Sequence, residues 1–506
     1  MLDVGFPDID LWILTFAGIA AILIAIWGRG PILAGGLGFL AGMVFYVTHL
    51  SWSGLYLGPL PWIALATLQA IIFAAGCVAI SLLTNWLPRL LRSKAALLVL
   101  MPLLVAGLWT GREEFAGRWP YGGFAWGRVA LAQSQSPFAE AVSWIGVSGL
   151  SFIMVWIVAT CIVLAAEARL RNLPGVVVLV AITVLAATVP TWPTTSRQPV
   201  TIAAVQGNGP AGYFATHEIG DVLTAQLEET RSALGNAAES GRTVDLIVWP
   251  EDGADLDPLQ NPTSRARIDQ VIEQTGGTPL VFGTITERDG RYFNSSILWE
   301  RGIGPTDLYD KKRPVPFGEF VPDRAFWSQL APDLIGLVGR DYTPGTRDGI
   351  LNTGGVAYGS AICFDITDDT VMRTLIEDGA QVILAQSNNA DFGRTDESLQ
   401  QLAIARLRAI ETGRDLVNIS TVGTSAIISA TGETLSELTS FEPGTMITQV
   451  TPRDGTTGGV VLGPVVSATA LIVAPSATLA IGLFLLIRSR RASITAERDL
   501  STGQER

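Results

Sequence analysis

The chain has 506 residues, of which 48% are hydrophobic and 16% charged, against about 25% charged in soluble domains; the length allows two or three domains, and the balance puts much of the chain in lipid. A formal net charge of −12 argues against a nucleic-acid partner. Its three cysteines, Cys77, Cys161 and Cys363, build no disulfide framework because the first two fall in long apolar runs, and with only His49 and His217 a His-based zinc site or a Ser-His-Asp triad is poorly supplied.

In chain order, runs apolar enough to cross a bilayer, which takes about 20 helical residues, are predicted at residues 11–27, 32–50, 63–83, 95–109, 149–166 and 175–192. The fourth is short. Mixed sequence then runs to about residue 454, and residues 465–487 form a last span. The first run is not read as a signal peptide, because its flank MLDVGFPDID is acidic and no small-residue cleavage site follows. Basic residues sort by side: Arg29 follows the first span, Arg89, Arg92 and Lys94 the third, Arg169 and Arg171 the fifth, and Arg488, Arg490 and Arg491 the last. If the spans alternate, these share the cytoplasmic side, and the acidic N-terminus, the loop SWSGLYLG and the segment 195–460 lie outside. One loop disagrees: GREEFAGRWPYGGFAWGR puts Arg112, Arg118 and Arg128 outside, and its adjacent glutamates and aromatics predict a structured or re-entrant element, the alternative being a misplaced span. The expected domains are a membrane domain of six spans over 1–196, an extracytoplasmic catalytic domain over 197–455, and a transmembrane helix with a cytoplasmic tail over 456–506. The tail ASITAERDLSTGQER reads as polar and disordered.

Within the middle segment, PVTIAAVQGN, TVDLIVWPED, TPLVFGTIT, GVAYGSAICFDI and AQVILAQSNNADFG each read as a buried strand ending in polar or reactive residues. EIGDVLTAQLEETRSALGNAAES and SLQQLAIARLRAIETGR have the apolar spacing of helices. The sum is an α/β domain, in which functional side chains gather at strand ends and on the loops that follow.

Glu251 in VWPED, Lys311 in LYDKKRPVPFGEFVP and Cys363 in AICFD stand at such places. Each alone has an ordinary reading: a cap or surface carboxylate, a solvated basic cluster with Lys312 and Arg313, a packed thiol. Together they supply acyl-transfer chemistry without histidine, because a carboxylate can take the thiol proton and an ammonium can favour the thiolate and an oxyanion. After FGEFVP, the stretch AFWSQLAPDLIGLVG presents Phe326, Trp327, Leu330, Leu334 and Ile335. It is either a domain-packing helix or, as the functional reading, a mobile lid that touches the membrane surface and admits acyl chains.

The order WPE, then Y-x-K-x-x-x-VPFGE, then a strand ending in IC followed by an aromatic and an acid, resembles the nitrilase superfamily. The spans on both sides narrow the resemblance to the bacterial apolipoprotein N-acyltransferase family. It covers nearly the whole chain, taking in VQGN at 205–208, YFNS at 292–295, SNNADFG at 387–393 and RLRAIETGR at 406–414. The resemblance implies a polytopic helical membrane domain plus a nitrilase-like α-β-β-α sandwich, with Glu251 as general base, Lys311 as oxyanion-stabilising ammonium and Cys363 as nucleophile. Lys311 rather than Lys312 is implied because it stands two residues after Tyr309 and four before Val315. Glu319 is implied as a second acid that orients Lys311 or the incoming amine, with Phe364, Asp365, Asn294 and Asn388 in support and Asp391 among the substrate contacts. The implied reaction moves an acyl chain from a phospholipid to a Cys363 thioester and then to the α-amine of the diacylglyceryl-modified N-terminal cysteine of a lipoprotein. It would be carried out by a monomer of the bacterial inner membrane, without cofactor or metal, the catalytic domain outside and the C-terminus in the cytoplasm. The alternatives are a membrane-tethered nitrilase-type amidase, which the same three residues would serve, and a non-catalytic partner of another enzyme. The span number and the apolar stretch after FGEFVP favour acyl transfer. Asp391 stands where the family often has tryptophan, Phe364 and Asp365 where Tyr-Glu is common, and Pro314 where leucine is usual, which puts substrate contacts in question rather than the chemistry. No tryptophan follows shortly after VQGN, and the chain begins one span later than the family pattern.

Overall fold

The computed structural model describes residues 1–91, 93–166, 173–212, 218–239 and 241–503. Arg92, Arg169, Arg171 and His217 lie outside the described residues. Each predicted span is a helix. The first part of the chain forms α1 (Ile13–Ile26), α2 (Pro31–His49), a short α3 (Ser53–Leu57), α4 (Pro59–Leu90), α5 (Lys94–Ala116), α6 (Val142–Ala166) and α7 (Leu173–Thr188). Among the described residues five helices are long and apolar enough to cross a membrane, namely α2, α4, α5, residues 139–166 and residues 458–493; α1 and α7 are shorter apolar helices. Small residues let α2 lie close against α4: a Cβ at Gly42 would stand 2.9 Å from the Ala70 backbone, and one at Gly38 2.7 Å from Cys77.

The fourth span is longer than expected. α5 runs on through GREEFA, so Arg112, Glu113 and Glu114 are helical and buried instead of belonging to a loop. Pairing makes this tolerable. The Arg112 guanidinium lies 4.4 Å from the Phe73 ring centre and donates to Glu113, and Glu114 accepts from Arg118 at 3.0 Å and from Ser148 at 2.6 Å.

The middle of the chain alternates strands and helices. It runs β1 (Thr195–Ser196), β2 (Val200–Gln206), α8 (Asp221–Glu239), β3 (Leu246–Val248), α9 (Pro262–Gln274), β4 (Leu280–Arg288), β5 (Arg291–Glu300) and β6 (Gly304–Asp310). There follow α10 (Arg324–Leu330), α11 (Pro332–Leu337), β7 (Ile350–Thr353), β8 (Val356–Ile362), α12 (Asp369–Glu377), β9 (Val382–Ser387) and α13 (Glu397–Thr412). The last are β10 (Leu416–Ser420), β11 (Ala426–Ile428), β12 (Thr434–Glu437), β13 (Gly444–Val450), β14 (Arg453–Asp454) and α14 (Gly458–Gly503). α14 carries its helix through most of the polar tail, where disorder was expected.

Two six-stranded sheets result, ordered β13-β2-β3-β4-β5-β6 and β12-β11-β10-β9-β8-β7. Within them β2, β3 and β4 run parallel, as do β8, β9 and β10, so their C-terminal ends gather on one side. Period-two alternation builds the layers. On β2, Ile202 and Ala204 face the core between the sheets, and Ala203 and Val205 face α8 and α9. On β9, Val382 and Leu384 face that same inner core, and Ile383 and Ala385 face α12 and α13. The order helix–sheet–sheet–helix is the expected four-layer sandwich. Its α12–α13 layer rests on the membrane helices, since Leu375, Ile404 and Ile410 share one apolar cluster with Val142, Val147 and Leu150.

Candidate active site

Three strand ends converge. Trp249, Pro250 and Glu251 follow β3, Lys311 follows β6, and Cys363 follows β8. Cys363 opens a 3-10 turn, Cys363–Thr367, and adopts φ 48°, a left-handed conformation unusual for a residue with a Cβ. Asp365 holds this turn. Its carboxylate accepts from Tyr309 Oη at 2.8 Å, from the Arg313 N–H at 2.8 Å and from the Ile362 N–H at 3.2 Å, so one buried side chain ties the Cys363 turn to the lysine loop. Burial pushes Asp365 up to about 6, against the pull of Lys311. Asp368 accepts from the Thr370 and Val371 N–H groups as the N-cap of α12, and it pairs with Arg313 at 2.7 Å. The next residue, Asp369, pairs with both Arg128 and Arg408.

Lys311, only 2% exposed, lies between two carboxylates, with Nζ 3.1 Å from Glu251 Oε1 and 2.9 Å from Glu319 Oε2. Asn294 Nδ2 donates to the same pair, at 2.7 Å to Glu251 and 2.8 Å to Glu319. The Asn388 N–H donates to Glu251 Oε2 at 2.8 Å, and the Val315 N–H to Glu319 Oε2 at 2.6 Å. Burial alone would lower Lys311, but Glu251 and Glu319 raise it well above the usual lysine range, so it stays an ammonium. Burial raises Glu251, the Lys311 charge draws it back, and Glu319 adds to the rise. Cys363 keeps partial solvent contact, yet the protein packed around its thiol, with Glu251, holds it well above the ordinary thiol value while Lys311 pulls it down. The resting group is a neutral thiol beside a carboxylate–ammonium pair, which is what deprotonation followed by attack on a carbonyl requires. A 3-10 turn also leaves N–H groups free at its start, where an oxyanion could form beside Lys311.

Glu251, Lys311, Cys363, Glu319, Asn294, Asn388 and Asp365 are therefore brought together. Phe364 points to the membrane domain: its ring stacks on Phe124 (6.0 Å, 19°), which stacks on Trp126 (6.0 Å, 15°), which in turn meets Trp52 (5.3 Å). Asp391 lies in a 3-10 turn, Ala390–Phe392, whose Phe392 meets Trp52 at 5.1 Å. The stretch read as a lid is two short helices, α10 and α11. Phe326 (57%) and Leu330 (64%) are exposed, Trp327 and Leu334 are half-buried, and Ile335 turns inward to a small cluster with Val321 and Val338. The sequence reading missed Asp252, half-buried beside Glu251 and pushed up to about 7 by the protein packed around its carboxyl and by the neighbouring carboxylate, and Glu397, only 2% exposed at the start of α13. Both looked like surface acids, in WPED and TDESL. Among the described residues no group of histidine, cysteine and carboxylate side chains is placed to hold a metal ion.

Residues 1–160 match the family of the apolipoprotein N-acyltransferase N-terminal domain, and residues 201–457 match the carbon-nitrogen hydrolase family. An apolipoprotein N-acyltransferase of Mycolicibacterium smegmatis is 31% identical over 95% of this chain and 83% of its own length. One from Photobacterium profundum is 25% identical over 90% of this chain and 88% of its own. Among solved structures, an amidase from Nesterenkonia sp. is 20% identical over 52% of this chain and 93% of its own, with a TM-score of 0.38.

Proposed function

We propose the following chemistry for this chain, which belongs to the apolipoprotein N-acyltransferase family: Cys363 carries the acyl group between two substrates, Glu251 is its general base, and Lys311 steadies the oxyanion. The chain is a membrane acyltransferase of lipoprotein maturation, taking its acyl group from a phospholipid and delivering it to a lipoprotein. The amidase alternative is not favoured, because the relatives matched over most of their length are named N-acyltransferases.

In the first half-reaction Glu251 takes the thiol proton as the sulfur attacks an ester carbonyl of the phospholipid. Lys311 and an N–H of the nucleophile turn receive the oxyanion, and the C–O bond breaks as Glu251 returns its proton to the leaving lysophospholipid. In the second, the α-amine of the diacylglyceryl-cysteine attacks the thioester, a C–N bond forms, and the C–S bond breaks. Glu319 holds Lys311 and Asn294 in place. Exclusion of bulk water from the buried Glu251–Lys311 pair disfavours hydrolysis of the thioester. The observation that carries this reading is the Glu251–Lys311 pair, 3.1 Å apart and buried, with Cys363 in electrostatic contact with both.

The domain limits proposed are 1–196, 197–455 and 456–506, in a monomer of the inner membrane with the catalytic domain outside and the C-terminus in the cytoplasm. Phe326, Trp327, Leu330 and Leu334 form the lid, with Ile335 anchoring it and Asp391 near the acyl route. The test is incubation of purified protein with phospholipid carrying a labelled acyl chain. Label should attach through a hydroxylamine-sensitive bond and be absent in Cys363→Ala; label that persists in that variant overturns the mechanism.

A further inference from the structure

The surroundings of the thiol are rich in acceptors and poor in cations. Glu251, Asp252, Glu319 and Glu397 are gathered there, and Lys311 is the cation that pairs with them among the described residues, through Glu251 and Glu319. Asn294 Oδ1 and Asp252 Oδ1 are buried without a hydrogen-bond partner among the described residues. Glu397 sits in the first turn of α13 and is 2% exposed. Its Oε2 accepts from Asn389 Nδ2 at 2.7 Å, and no hydrogen bond reaches its Oε1 among the described residues. Asn389 is itself held by Gln401 at 2.8 Å, Ser420 at 2.5 Å and Ser387 at 3.3 Å, so the carboxyl is fixed in place. The peptide N–H of the neighbouring Asn388 holds Glu251, and Glu397 interacts electrostatically with both Glu251 and Cys363.

A helix-start carboxylate kept for the helix dipole would be ionised and held low. Glu397 is the reverse, pushed up to about 8 by burial, more than its bond from Asn389 draws it down, and raised further by Glu251. What such a site lacks is a cation with several N–H donors. A phospholipid ester brings none to the reacting atoms, whereas the acceptor brings an α-ammonium with three.

We propose that Glu397 is the acceptor-binding residue of the second half-reaction, receiving the α-ammonium of the lipoprotein and taking one of its protons. This rests on the reading that Cys363 carries the acyl group as a thioester. On binding, the Glu397 proton passes to water and an ammonium–carboxylate pair forms. One ammonium proton moves to Glu397, which frees the nitrogen lone pair. The nitrogen attacks the thioester carbonyl, the C–N bond forms and the C–S bond breaks. A second nitrogen proton goes through Glu251 to the departing sulfur, restoring the thiol. Glu251 and Glu319 are poorly placed to receive the amine unaided, because each already accepts from Lys311, Asn294 and a peptide N–H.

The test separates the half-reactions in full-length protein, using labelled phospholipid first and then a diacylglyceryl-cysteine peptide. Glu397→Gln keeps the shape and can still accept from Asn389. It should form thioester at the rate of the unaltered protein, transfer label to the peptide roughly 100-fold more slowly, and show a raised KM for the peptide; Glu397→Asp should recover part of the rate. Equal transfer by Glu397→Gln overturns the proposal, as does loss of thioester formation in that variant, which would put Glu397 in the first half-reaction. If the unaltered protein forms no thioester at all, it is the Cys363 mechanism that falls.

Discussion

At the scale of residues, the site combines a thiol and a carboxylate that both resist ionisation with an ammonium that resists neutralisation. Protonated Glu251 cannot accept the thiol proton. Thioester formation should therefore fall as pH falls through the Glu251 pKa, and since burial raises that pKa, the acid limb should lie above the ordinary carboxylate value of 4.5. Single-turnover labelling across pH would show this limb. In Glu251→Gln it should vanish while the rate drops by about 10²–10⁴-fold. Glu251 and Cys363 were legible as positions because each follows a hydrophobic run, and Lys311 because of its motif-like loop, YDKKRPVPFGE. Asp365 was legible as a position but not as a role, since its three donors come from Tyr309, Arg313 and Ile362, and spacing along the chain does not display contacts across two strands. Glu397 was not legible at all: TDESL before a helix reads as a solvated first turn, and the contact that holds it buried comes from Asn389, on the loop after β9.

At the scale of elements, the Cys363 turn and the start of α12 are clamped to the membrane domain. Arg128, in the loop after α5, donates to Asp369 at 2.9 Å and lies 3.9 Å from Glu114; Asp369 also pairs with Arg408, which pairs with Glu411. Burial on its own would raise Asp369, but Arg128 and Arg408 hold it well below the usual carboxylate range. Glu411 in turn accepts from the Val147 N–H on α6 at 3.0 Å. Asp369 is 29% exposed and, without Arg128, still paired with Arg408, so the cost should stay below the about 3–5 kcal/mol of stranding a fully buried charge. Arg128→Ala should lower the unfolding midpoint of the detergent-solubilised protein, and adding Asp369→Asn should lower it by less than the sum of the two single losses. Strictly additive losses in that double-mutant cycle would refute the coupling. These charges explain why α5 looked too short: a hydropathy reading stops at GREE, whereas ion pairing carries the helix on to Ala116. The unpredicted β5 has a similar cause. Asn294, Ser295 and Ser296 interrupt the apolar pattern of a strand, yet they are buried and bonded, Ser295 to Asp310 and Ser296 to Gln386.

At the scale of the whole molecule, the connections sort to two ends. The N-terminal turn meets α2 through Asp3 and His49 at 3.1 Å, and Trp52, just beyond α2, donates to Gln400 on α13, so these join the end that carries the sandwich. The Arg29 carbonyl accepts from Ser81 and Asn85 of α4, at the opposite end, where the basic connections gather. The basic residues that contradicted a positive-inside reading are not free charges, because Arg112 pairs with Glu113, Arg118 with Glu114, and Arg128 with Glu114 and Asp369. Once they are discounted, the remaining bias supports the proposed orientation, with the sandwich outside and the end of α14 inside. The length of α14 fits such a crossing: its 46 residues span about 69 Å at 1.5 Å each, more than twice a hydrocarbon core of about 30 Å, so one end must project beyond the bilayer. Two single-cysteine reporters read the orientation directly. A Cβ at Gly235, on exposed α8, meets nothing within 4 Å, and Ser489 is exposed near the far end of α14. With the native cysteines changed to serine, an impermeant maleimide should label Gly235→Cys in intact spheroplasts and Ser489→Cys only after permeabilisation. The reverse pattern would place the sandwich in the cytoplasm, away from the side on which the proposed acceptor is presented.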